Sequence, residues 1–99
     1  MELAHAQTLM QARSYLAALA DAAQTMEASC AYERVLIEID RIHGDDSPAL
    51  DTTGLTNDSA VLYATATSAI EELVDHGVDE LHVELILTML IETHDLDGA

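Results

Sequence analysis

The ten residues ERVLIEIDRI, Glu33 to Ile42, decide whether this chain is all helical or mixes helix with sheet. Val35, Ile37 and Ile39 alternate with Leu36 and Glu38, as a half-buried strand would. The polar residues argue otherwise. Glu33, Arg34, Glu38, Asp40 and Arg41 include spacings of one, seven and eight positions, which share one side of a helix. Asp40 beside Arg41 breaks a period of two. The segment is therefore read as helix, and the competing α+β fold, with the later ELVDHGVDELHVELIL running from helix through Gly77 into a strand, is set aside.

Working outward toward the N-terminus, residues 2–43 contain neither Gly nor Pro and are rich in Ala, Leu, Glu, Gln and Met, which are good helix formers. The apolar stripe does not hold its direction. At about 100° per residue, Leu9, Ala12, Leu16, Leu19, Ala23, Met26 and Cys30 share one sector, while Tyr32, Val35, Leu36, Ile39 and Ile42 lie roughly half a turn away. Coiled-coil drift, at about 20° per heptad, is too small to account for this. Either one long helix turns different faces to different partners, or the helix breaks near residues 28–31, with Ser29 or Thr25 as the new N-cap.

Toward the C-terminus, residues 44–57 form a long loop that carries two of the four Gly and the only Pro. Gly44 suits the residue after a helix end, and Leu50 and Leu55 can pin the loop to the core. A helix follows, with Asn57 or Asp58 as N-cap, Leu62, Ala66, Ala69, Ile70 and Leu73 as its buried face, and His76 and Gly77 at its end. Asp79 can cap the last helix. That helix contains VELILTMLIE, Val83 to Glu92, with seven large apolar residues in ten. Val83, Ile86, Leu87 and Leu90 make one face, and Leu81, Leu85 and Met89 make nearly the opposite one. One small domain covers one face, so the second points to another subunit, and a twofold homodimer is the simplest closed arrangement. The expected architecture is a single all-α domain over residues 1–99, a bundle of three or four helices. It self-associates through Leu81, Leu85 and Met89 of the last helix and Tyr32, Leu36 and Ile39 of the first segment.

Composition bounds the function. Nineteen acidic residues face three Arg and no Lys, a formal charge of −16. Nucleic-acid binding needs cations against phosphate, and an anionic membrane surface repels the chain for the same reason. The longest apolar run is far too short to span a bilayer. The acidity fits a high-salt, halophilic cytoplasm, an acidic surface for a basic protein partner, or carboxylate metal binding. Cys30 is the only cysteine, expected as a small buried hydrophobe, and a cytoplasmic location suits a chain with no disulfide.

Acid-x-x-His occurs three times, at Glu2/His5, Asp40/His43 and Asp79/His82. Residues three or four apart share a helical face and can clamp one metal ion. His82 with Glu80 or Glu84 is the candidate metal site. There is no phosphate-binding Gly-rich loop, nucleophile elbow or Cys pair. The expectation is a non-enzyme without a cofactor, a small acidic interaction or adaptor protein. A carboxylate/His metal-binding helical protein is the alternative.

Overall fold

The computed structural model describes residues 2–44 and 52–97, and among these there is no strand. Four helices form a bundle: α1 (Leu3–Ala22), α2 (Met26–His43), α3 (Ser59–Glu72) and α4 (Glu80–Asp97). A single 3₁₀ turn, Leu73–His76, extends α3. ERVLIEIDRI lies wholly inside α2, so the strand alternative is gone. Val35 and Ile39 face the core from that segment, while Ile37 is exposed, as a period of 3.6 requires.

The first segment is two helices. The break falls at Ala23–Thr25, a few residues ahead of the expected 28–31, with Ala23 and Thr25 both extended. Thr25 is the cap: its hydroxyl accepts from the Ala28 N–H at 3.1 Å. The apparent half-turn shift of the stripe is the change of phase across this break. α1 buries Leu9, Ala12, Leu16 and Leu19, and α2 buries Ala28, Tyr32, Val35 and Ile39. Cys30, assigned to the sector of α1, follows the phase of α2 and is exposed. Replacing Thr25 by Ala leaves a first-turn N–H without its acceptor and is expected to cost about 1 kcal/mol, measured by denaturant unfolding. A loss below a few tenths would show that tertiary packing alone sets the break.

The remaining caps follow local chemistry. The Asp58 carboxylate accepts from Ala60 N–H at 3.0 Å, and Asp79 from Leu81 N–H at 2.9 Å. Gly77 closes the 3₁₀ turn in the left-handed conformation, φ 94°, which a side chain would strain.

The helices form a square. α1 packs on α2 and α3, and α4 packs on α2 and α3, so α1 and α4 lie across one diagonal and α2 and α3 across the other. Neighbours run antiparallel. Arg13 and His5 of α1 meet Asp40 and His43 of α2, Thr8 of α1 meets Glu72 and His76 at the end of α3, and Tyr63 of α3 stacks on His94 of α4. α2 and α3 are therefore parallel, and the connection between them must return from one end of the bundle to the other. An 18-residue helix is about 27 Å long, which explains the length of residues 44–58. Leu55 packs against the core near the far end of α1; Leu50 lies outside the described residues.

The core is aliphatic: Leu9, Leu16, Leu19, Val35, Ile39, Leu62, Ile70, Leu73, Val83, Ile86 and Leu90 surround Tyr32. Ala12, Ala66 and Ala69 are buried between α1 and α3, where small side chains admit close helix approach. Arg13 reaches across from α1 and grips Asp40 with two bonds, Nε–Oδ1 at 2.7 Å and Nη2–Oδ2 at 3.3 Å. No helix among the described residues is long and apolar enough to cross a membrane.

Candidate functional sites

Two regions stand apart from the core. The first is the shoulder of α4 that faces α2. Val83, Ile86 and Leu90 point inward, and Leu81, Leu85 and Met89 form a row beginning about 160° away. Leu81 is 74 % exposed and Leu85 50 %. Met89 turns into the α2/α4 groove, which it lines with Ala31, Arg34 and Leu96. Beside this row run Arg34 and Arg41 of α2, both exposed. Arg41 reaches Glu38 at 3.4 Å, and Glu38 also faces His82 at 3.6 Å. Two of the three cations of a −16 chain thus stand on the α2 side of the grooves that α2 and α4 share.

Tyr32 and Ile39, assigned to the interface on sequence, are both completely buried in the monomer core. They are corrected to core residues: once α2 starts a new phase at Thr25, their sector faces α1 and α4 of the same chain. Leu36 is half buried and packs on the core.

The second region is one end of the bundle. The first turns of α1 and α4 meet the last turns of α2 and α3 there, which brings His5, His43, His76 and His82 to one pole. His43 Nδ1 lies 2.7 Å from the Ile39 carbonyl. That carbonyl can only accept, so Nδ1 carries the proton and Nε2 keeps its lone pair. His5 Nε2 lies 3.1 Å from His43 Nε2 and donates to it when both rings are neutral. His5 also stacks on His76, with centroids 5.3 Å apart and planes 3° from parallel. Thr8 Oγ1 lies 3.2 Å from His76 Nε2 and 3.5 Å from Glu72 Oε2. Burial holds the His5 pKa below 6.5, helped by the neighbouring His43 and His76 and opposed by Glu2. A cleft of about 530 Å³ opens beside the pair, lined by His5, His43, Val78, Asp79 and His82, with Arg41 and Ile42 on its α2 wall.

The structure does not unite the sequence-assigned metal residues. His82 faces α2 through Glu38, whereas Glu80 and Glu84 line the opposite groove of α4 with Glu71 and Val74. Residues two apart on a helix are about 200° apart, so His82 cannot share an ion with either glutamate. Among the described residues, no three His, Cys, Asp or Glu side chains stand assembled around a metal position. The His5–His43 pair was missed because each Acid-x-x-His was weighed within its own helix. Its histidines meet between helices, at the pole where α1 and α4 begin and α2 ends. Comparison with protein-family models, curated proteins and solved structures finds no match for this chain.

Proposed function

We propose that this chain is a non-catalytic interaction module that pairs with a second copy of itself along the α4 shoulder. The observation that carries the reading is the pair Leu81 and Leu85, both open to water on α4, with Arg34 and Arg41 exposed on the neighbouring helix α2. Contiguous exposed apolar surface rimmed by polar groups marks interaction sites. The partner argument is electrostatic. The rest of the surface is acidic, including Glu84 and Glu92 on α4 itself. A twofold packing sets each protomer's arginines against the other's carboxylates, while the leucines meet at the centre.

Light scattering after size exclusion tests this. A dimer is expected, and it should strengthen from low to multimolar salt, because screening relieves repulsion between two chains of −16 each. Replacing both Leu81 and Leu85 by Glu should weaken it by at least about 100-fold, since burying each leucine contributes on the order of 1.5–3 kcal/mol. Both are exposed, so the variant should keep full helicity. A folded wild-type monomer at all salt concentrations defeats the reading. Dimer loss only in the variant, with strengthening by salt in the wild type, is the signature of this face. A basic protein partner is the second occupant the charge suits; it would add to the acidic faces and leave the leucine row to the dimer.

A further inference from the structure

We infer that the histidine pole is an open site for one borderline divalent transition-metal ion of the zinc class, held by the Nε2 atoms of His5 and His43. This goes beyond the pairing surface, and it rests on different residues from the leucine row.

Three observations carry it. The two Nε2 atoms are 3.1 Å apart. Two Zn–N bonds of about 2.0–2.1 Å at a near-tetrahedral angle place their nitrogens about 3.3 Å apart, so the ion enters with a shift of a few tenths of an ångström. For this the shared proton moves from Nε2 to Nδ1 of His5, so that two neutral imidazoles offer their Nε2 lone pairs to the ion. The second observation is the Nδ1–H of His43 on the Ile39 carbonyl at 2.7 Å. A ligating histidine characteristically spends its other N–H this way, which fixes the ring and aims Nε2. The third is the adjoining cleft, which His82 and Asp79 also line. It leaves room for water on the ion and for a third donor from the far wall.

Ligand type sets the class of ion. Imidazole nitrogen suits zinc, cobalt, nickel and copper, whereas magnesium and calcium take oxygen. A formal charge of −16 attracts cations of every kind, so binding at the pole is measured in excess magnesium. With two histidines in place and the other positions open, the ion is exchangeable; it does not build the fold.

The experiment is titration of untagged, chelator-washed protein with Zn2+ by calorimetry, and with Co2+ by visible absorption, both in excess Mg2+. One saturable ion per chain is expected. Histidine ring resonances of His5 and His43 should shift in step with it, and those of His94, at the opposite end, should not. His5→Gln and His43→Ala should each weaken binding by at least about tenfold, and His94→Ala should leave it unchanged. Circular dichroism checks each variant's fold; if His43→Ala fails to fold, His5→Gln, in the first turn of α1, decides. No saturable binding in excess Mg2+ overturns the inference. So does binding that His5→Gln leaves intact, or that His94→Ala weakens as much.

Discussion

Replacing Leu16 by Ala is expected to lower the unfolding free energy by about 3–5 kcal/mol, measured by urea or guanidinium denaturation at fixed high salt. Leu16 is completely buried, on the helix that packs against both α2 and α3. Removing its branched end loses the transfer free energy of three carbons and leaves a cavity that rigid neighbours fill only in part. Domains of this size have about 5–15 kcal/mol in all, so one substitution removes a large share. No Phe or Trp is available to relax into the gap. A loss under about 1 kcal/mol would mean that the centre of the bundle is not packed as described.

Alkaline titration should single out Tyr32. Its side chain is completely buried, and its hydroxyl has no hydrogen-bond partner among the described residues. Burial pushes its pKa from 10.0 up to about 12, and the charges of Asp97 and Tyr63 push the same way. The sign follows from proton counts. Between those two values the unfolded chain has released the proton and the native chain still holds it. Stability is therefore unaffected below about pH 10 and falls as pH rises from 10 toward 12, by about 3 kcal/mol in total. Tyr32→Phe should remove that part of the alkaline loss. At neutral pH it should leave stability equal or raise it by about 1 kcal/mol, because a buried hydroxyl without a partner is lost with its desolvation cost. Denaturation midpoints at pH 8, 10.5 and 11.5 for both proteins decide. An identical alkaline slope in Tyr32→Phe would refute the assignment.

The parts of the fold legible in the sequence are those set by local chemistry. Asp79 was recognisable as a cap, and Thr25 and Asp58 were each one of two candidates, beside Ser29 and Asn57, because a short side-chain oxygen before an apolar run has few better uses. The polar residues of ERVLIEIDRI showed the helical period directly. Leu81 and Leu85 were separable from Val83, Ile86 and Leu90 by the geometry of one helix. What depended on neighbouring helices was not legible. Tyr32 and Ile39 showed an apolar face, but a period cannot say whether the cover comes from the same chain or another. Cys30 was placed by carrying the phase of α1 across a break marked by neither Gly nor Pro. The histidine pole needed the relative directions of separate helices, since His5 and His43 are 38 residues apart in sequence.

The square arrangement divides the helix contacts into those close in sequence and those that must close a long connection. α1–α2 and α3–α4 are antiparallel hairpins with short turns, Ala23–Thr25 and Gly77–Asp79, and each can zip up from contacts close in sequence. Docking of one hairpin on the other closes the 15 residues between His43 and Ser59. The entropy of closing such a tether grows only logarithmically, about 0.6 kcal/mol for each doubling of its length. A second copy of that tether spliced into it should therefore slow folding slightly and leave the bundle intact. Gly or Pro placed inside a helix should cost more, about 1 kcal/mol for Gly and about 3 kcal/mol for Pro.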